Sequence, residues 1–581
     1  MGTRGKEDFT FIGSRSDGKY GKPERNQFNF ELFGGIENYE FSHPLLFMKA
    51  STHFFRTALW VLPFTLLHSL SGAEEVADIG DRRELFVEDT LIESVSGEAR
   101  LRLHHPVPRE IVIEHDAPWE GSGSGYHSIF QDGDLYRMYY KAWNLTAYLN
   151  GNKKIRHYCA YAESDDGLHW RKPNLGLHEY NGSTDNNIMM ASGPQDGFVL
   201  NAAHPAVFKD SNPAAKPEAR YKAFFRSDEP LGLLAYQSND GIHWELMSDE
   251  LVITDGAFDS VNLAFWDEVN QEYRAYWRYF DASTEEELHR GSRSIRTATS
   301  RDFIHWENQK NLEYVDSPVE QLYTNSIKPY FRAPHLKIGF PIRYTERGYQ
   351  LPVGEDKDKL TNAEKIEHWS ASLRALPEAE HRLMRGANSE RYGAAITEAL
   401  FMASRDGVLF KRWNSGFLRP GIERPGTWNY GHQYVGWQLV QTKSALAGAP
   451  DELSLYAIEN YWTGGSASLR RYTLRIDGFV SVEAPMEGGE LVTKPITFSG
   501  NKLMLNFSTS AAGSVWVEIQ DLNGQPIPGF ALADCEPLFG DTLDRELTWK
   551  QGSDVSSLQG RSVRLRFVLK DADVYAYKFS E

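Results

Sequence analysis

Short runs dominated by aromatic and aliphatic residues, each closed by Gly, Asp, Ser or Asn, recur along most of the chain. That rhythm predicts strands rather than helices. The clearest runs are 135–141, 221–226 and 273–278, all Tyr- or Phe-rich, with an alternating run at 157–161. After Pro485 alternation resumes at 496–498, 502–507, 515–520 and 563–569, separated by Gly and Ser turns. One stretch departs from this: 361–385 is rich in Ala, Glu and Leu, which predicts helix inserted between strands.

A turn fingerprint punctuates the strands. Ser164-Asp165-Asp166-Gly167-Leu168-His169-Trp170 has counterparts at 238–244, 300–306 and 404–410, and Arg475-Ile476-Asp477-Gly478-Phe479 is a degenerate fifth copy. Ser, an Asp two residues on, usually Gly next, and an aromatic four after the Asp describe one tight turn closing the third strand of a unit. The repeat aspartates are spaced roughly 60–75 residues apart, except where a helical insertion at 345–391 lengthens one interval. The predicted fold class is therefore all-β: a five-bladed β-propeller over 80–485, followed by a C-terminal β-sandwich over 486–581.

With 581 residues, two or more structural units are expected. A net charge of −18 excludes nucleic acid as a main partner, because phosphate binding depends on clustered cations. Residues 48–73 read as a secretory signal: Met48, Lys49 and Arg56, an apolar run over 58–70, then Ser71-Gly72-Ala73 as the cleavage site. Met48 is then the expected start, the product is secreted or periplasmic, and no stable membrane insertion follows cleavage; a signal anchor is the alternative. Two cysteines, Cys159 and Cys535, are too few for a disulfide scaffold or a metal cluster, and Cys159 reads as a small buried hydrophobe.

On its Ser-x-Asp-Gly-x-x-Trp turns, counted in five units and followed by a terminal sandwich, the chain resembles the five-bladed propeller glycoside hydrolases. These include families 32 and 43, and the domain order is similar to family 32. The Trp-Met-Asn-Asp-Pro-Asn-Gly, Arg-Asp-Pro and Glu-Cys motifs of family 32 are absent, so fructan specificity is not implied. The turn also resembles the sialidase Asp-box, with one residue fewer between Asp and Trp. The resemblance implies a carbohydrate substrate and hydrolysis by carboxylates that project from the innermost strands into a central depression. Glu120 and Asp259 fall at that place in the first and third units and are the expected acid and base or nucleophile. The second unit offers Asn201 and His204 there, but no acid.

The expected substrate-binding residues are His127, His204, Asn325, Trp428 and His432 at entry positions, with a cation ending the second strand of four units. Those cations are Lys141, Arg226, Arg278 and Arg343, and Glu459 takes the place in the fifth. Antiparallel pairing sets the end of a second strand beside the start of a first, so the cations surround the depression and the fingerprint turns lie on the opposite face. Converging cations call for an anionic partner, which points to a sulfated or uronic glycan. The bland reading pairs each with a carboxylate as a structural network. The insertion is a rim or lid, or else a cover for a sheet edge. No cofactor is required by this reading, and a central metal ion is left unassigned. A non-catalytic glycan-binding propeller is the alternative function.

Overall fold

Side-chain identity along each strand decides how the sheets close. The computed structural model describes residues 76–581 apart from 150, 153, 154, 285, 286 and 352, so the signal read at 48–73 lies outside the described residues. Five sheets form the propeller, antiparallel except that Glu313–Val315 pairs parallel with the last strand of blade IV. Blade I contains Gly125–Asp132, Leu135–Ala142 and Tyr158–Ser164, with Trp170–Arg171 and Ile188–Ala191 at its edge. Blade II contains Phe198–Lys209, Tyr221–Asp228, Leu231–Ser238 and Glu245–Leu246. Blade III contains Leu263–Asp267, Glu272–Phe280, Arg293–Ser300 and Trp306–Asn311. In blade IV the second strand is split, as Ala333–Gly339 and Ile342–Glu346, before Ala395–Ser404 and Leu409–Leu418. Blade V holds Val440–Thr442, Glu452–Glu459 and Ser468–Leu474. Its outermost strand comes from the other end of the propeller: Val107–Glu114 pairs antiparallel with Ser468–Leu474 and closes the ring.

The fingerprint turns are built alike. In blade I, Ser164 Oγ accepts from Gly167 N at 2.9 Å, and Asp166 Oδ1 accepts from Leu168 N and His169 N at 2.8 Å. Trp170 Nε1 donates to the Gly167 carbonyl at 3.1 Å. Gly167, Gly241 and Gly407 hold left-handed backbone, where glycine carries no Cβ penalty; the third copy puts Phe303 there at φ 72°. Inner strands are stitched across blades by hydroxyls: Ser128 Oγ donates to Pro205 O, Ser260 Oγ to Tyr323 O and Ser326 Oγ to Val435 O.

The propeller begins at Val107, not at residue 80. Glu84–Leu85, Ile92–Gly97 and Arg100–Leu103 pair instead with strands of the C-terminal unit, as does Val480–Ala484. There Lys502–Gln520 and Arg564–Ser580 run antiparallel along nearly their whole length, with a register shift between Thr509 and Ser514. This sheet encloses its own apolar core, which includes Leu491, Leu505, Val517, Phe567 and Phe579. The insertion folds as short helices, Asn362–Glu367, Ala371–Ala375, Ala379–Asn388 and Arg391–Ala394. Among the described residues no helix is long and apolar enough to cross a membrane.

The degenerate fifth fingerprint is the clasp between the two β units. Asp477, fully buried, accepts from Tyr330 OH at 2.7 Å, Arg332 Nε at 3.0 Å and Asn506 Nδ2 at 3.0 Å, with Arg83 Nη1 at 3.3 Å. Removing one member of a buried charged network leaves its partners uncompensated. Asp477→Ala is therefore expected to cost about 3–5 kcal/mol. Calorimetry should show a lowered or split melting transition, and an unchanged melting curve would remove the clasp from the account.

Candidate active site

Blades I to III bring their cations together on the face where first strands begin. Lys141, at the end of the blade I second strand, is buried in an aromatic cage: its Nζ lies 4.8 Å from the Tyr126 ring centre, 5.2 Å from Tyr461 and 5.4 Å from Trp143. It donates to Tyr461 OH at 2.9 Å, and burial lowers its pKa to about 7. Tyr126 meets His204 edge-on at 4.6 Å and Tyr434 at 5.7 Å. Tyr434 stacks on Tyr323 at 5.3 Å, and the Arg278 guanidinium lies 4.9 Å from the Tyr323 ring. Tyr323 OH is 2.8 Å from Tyr430 OH. One continuous chain of rings thus links the cations of blades I and III.

The charges surrounding these rings are mostly positive. Burial and the charges of Lys141, Arg226, His157 and Arg278 hold the His204 imidazole well below its usual range, and therefore neutral. Its Nδ1 is buried without a hydrogen-bond partner. Burial pushes the Tyr323 phenol up, but Arg278, Arg391, the Tyr430 hydroxyl and Arg293 outweigh it and draw it below the tyrosine range. Two carboxylates meet these cations, each about two-fifths exposed. Asp259 pairs with Arg278 and lies 3.6 Å from His289 Nε2. Asp228 lies 2.8 Å from Arg226 Nε and accepts from Asn201 Nδ2 at 2.9 Å.

The insertion supplies part of the rim. Arg391 donates to Tyr392 OH at 2.9 Å, and Tyr392 packs 4.2 Å from Trp462 and 5.1 Å from Tyr430. Arg382 and Arg385 fasten the helices to blade V through Asn429 Oδ1, at 3.0 and 2.8 Å. Tyr126 and Trp462 hold left-handed backbone, φ 55° and 58°, which bulky residues adopt only under constraint. Such strain concentrates at binding and catalytic sites.

Several expected site residues stand elsewhere. Glu120 is 0% exposed and belongs to the crossover from the closing strand to blade I. It accepts from Tyr140 OH at 2.5 Å, Lys172 Nζ at 2.6 Å and Ala117 N at 3.0 Å. Burial opposes its ionisation, but His115 and Lys172 outweigh burial and hold the carboxyl at about 2. It therefore has no proton to give a leaving group at neutral pH. His127 is buried against His115, with Nε2 atoms 2.9 Å apart. Asn325 caps Ile327 N just ahead of the strand Lys328–Tyr330.

Arg343 is taken up by Glu398 and Glu320, its Nε and Nη1 at 3.0 and 2.9 Å from them. Glu459 is bound by Arg424 and Arg470, with Arg470 Nε at 2.7 Å. Trp428 N donates to His432 Nδ1 at 3.1 Å, so these two brace a loop. Lys141, His204, Arg226, Arg278 and Asp259 are the expected residues that the fold does assemble. The tyrosines, Arg293, Arg391 and Asp228 were not foreseen; Asp228, two residues past Arg226, had a signal in being at the same strand end. Among the described residues no group of three or more His, Cys, Asp or Glu side chains could hold a metal ion.

No protein-family model matches the chain, and no curated protein matches it. Solved structures similar to it include a glycoside hydrolase family 43 arabinoxylan arabinofuranohydrolase from Bacillus subtilis in complex with cellotetraose. That match is 11% identical over 82% of this chain and 99% of the other, with a TM-score of 0.36. A fructofuranosidase from Schwanniomyces occidentalis complexed with fructosylnystose is 12% identical over 84% and 98%, with a TM-score of 0.34. An N-acetylgalactosamine deacetylase from F. plautii in complex with blood group B trisaccharide is 10% identical over 65% and 96%, with a TM-score of 0.36. The neighbours include five-bladed propeller glycoside hydrolases, the group that the turn fingerprints resemble.

Glu120→Gln separates the structural role of this residue from a catalytic one. A carboxyl whose pKa is lowered from 4.5 to about 2 on folding stabilises the fold above pH 4.5, and that contribution fades as pH falls toward 2. The variant should lose about 3 kcal/mol at pH 7 by denaturant titration, with the gap to wild type narrowing below pH 4.5. A gap unchanged by pH would contradict the assignment.

Proposed function

We propose that the axial depression binds and cleaves an acidic glycan, carrying uronate or sulfate, by glycosidic hydrolysis. The observation that carries this reading is the convergence of Lys141, Arg226 and Arg278 from three successive blades, joined by Arg293 and Arg391, where Asp228 and Asp259 are the carboxylates paired with them. Arginine forks match carboxylate and sulfate oxygens, and such a cluster is costly until an anion offsets it. Flat rings with polar edges, here Trp143, Tyr392 and Trp462, suit the C–H face and hydroxyl rim of a sugar.

In this reading Asp259 keeps the role of nucleophile or base expected from sequence, and Asp228 takes the place of Glu120 as the carboxyl that protonates the leaving oxygen. Both stand on the substrate face, at a second-strand end and a first-strand start of adjacent blades. Export of the chain, as read from 48–73, would place it where extracellular polysaccharide is met. A non-catalytic glycan-binding protein is the second reading, favoured by one observation: each of the two carboxylates is tied to an arginine.

Reducing-end release from polygalacturonate, alginate, chondroitin sulfate and neutral xylan tests both readings. Turnover is expected on acidic polymers, with Asp259→Asn inactive but still binding. Arg278→Ala, with Arg278→Lys as the milder control, should lower kcat/KM by about a hundredfold. Equal turnover of xylan with no loss in either arginine variant would refute the anionic substrate, and binding without turnover throughout would leave the binding protein.

The pH dependence has a defined sign. Lys141 carries its charge below about 7 and loses it above, because burial lowers its pKa from 10.5. Affinity for trigalacturonate should therefore fall as pH rises through about 7, with the midpoint displaced upward by the bound anion. Lys141→Met should flatten the profile in calorimetric titrations; a fall of the same size in that variant would dissociate it from Lys141.

A further inference from the structure

A concavity of about 580 Å³, inside the roughly 300–1,000 Å³ range of small-molecule sites, lies in the groove between blades IV and V and is lined by none of the axial cations. Its walls are the end of the last blade IV strand, the loop that follows it, the outer two strands of blade V and Gln433. Four arginines line it: Arg109, Arg419, Arg424 and Arg470. Arg424 and Arg470 share the buried Glu459, and Arg109 has Glu452 at 3.6 Å. Arg419 donates through Nε to the Gly416 carbonyl at 3.3 Å and pairs with no carboxylate among the described residues. The groove thus keeps excess positive charge after its internal pairs are formed.

Gln433 supplies a second and independent observation. It is 1% exposed, held in left-handed backbone at φ 64°, and lines the cavity. Its amide nitrogen donates to the Arg419 carbonyl and the side chain also meets the Tyr472 hydroxyl, while Oε1 is buried with no hydrogen-bond partner. An orphaned buried acceptor costs free energy until a donor reaches it. Arginine forks ask for an anion, and the amide oxygen asks for an O–H or N–H on the same molecule. Phe417, Leu418, Ile422 and Tyr472 give the remaining wall an apolar character. An inorganic anion would leave the Gln433 oxygen unmet, and a neutral sugar would leave the arginines unmet.

We propose that this groove is a second binding site, for an acidic saccharide whose hydroxyl is received by Gln433 and whose carboxylate or sulfate is held by Arg419 and Arg109. It is built from different residues than the axial depression and stands whether or not that depression cleaves anything. Glu459, where the cation pattern of the other blades breaks off, belongs to this site: it fixes Arg424 and Arg470 in the wall.

Isothermal titration of the full chain with trigalacturonate is the test, with β-1,4-galactotriose and sodium sulfate as controls. The double variant Arg109→Ala/Arg419→Ala, altered at the edge of the groove, should weaken one binding event by about tenfold or more and leave reducing-end release unchanged. Gln433→Met, nearly equal in size, should weaken the same event severalfold, and Arg278→Ala should spare it. Failure of the axial reading would leave a single event that the double variant still weakens. The proposal is overturned if the double variant changes no binding event, if galactotriose binds the groove equally well, or if sulfate alone occupies it with the affinity of the trisaccharide.

Discussion

Ring closure is the constraint from which the rest of the molecule follows. The ladder between Val107–Glu114 and Ser468–Leu474 turns a row of five sheets into a circle, and the chain must then cross from the rim of blade V to the innermost strand of blade I. Glu120 pins that crossing: it joins the Tyr140 hydroxyl, the Lys172 ammonium and its own loop backbone in one buried, ionised cluster. Closure gives the inner strands a common axis. Only then do the ends of the second strands in different blades become neighbours in space.

That neighbourhood carries an electrostatic cost, and the fold meets it in two ways. Aromatic faces surround Lys141 and Arg278, where ring quadrupoles favour a cation. Lys141 also releases its proton near neutrality, which lowers the charge held in a dry place. What is left is a group of arginines, Arg226, Arg278, Arg293 and Arg391, with two aspartates about two-fifths exposed among them. The interblade groove repeats the theme with its own arginines, Arg109, Arg419, Arg424 and Arg470.

The strands, the turns and the count of five were legible because blades I to IV repeat the same local chemistry, Ser and Asp side chains capping backbone N–H groups at one offset, and a degenerate copy follows blade V. The cation at the second-strand end was legible for the same reason, and it held in blades I to III. Blade IV breaks the rule because its second strand is interrupted around Phe340 and Pro341, which sets Arg343 beside Glu398 and Glu320. The ring of tyrosines left no periodic signal, since Tyr126, Tyr323, Tyr430, Tyr434 and Tyr461 come from three blades and meet only at the axis. Glu120 lies just before an inner strand, where a catalytic acid is expected; nothing in sequence shows that this loop is itself the buried crossover from the ring-closing strand. The boundary near residue 80 failed similarly, because strands that pair with the far end of the chain look locally like any others.

We propose that the axial face grips an anionic sugar. A crystal structure of the Asp259→Asn variant soaked with an acidic tetrasaccharide tests it most directly. A carboxylate or sulfate is expected within hydrogen-bond distance of Arg278, Arg293 or Arg391, with a sugar ring against Trp462 or Tyr392. A saccharide bound on this face through neutral hydroxyls alone, with its acid groups turned to solvent, would contradict it.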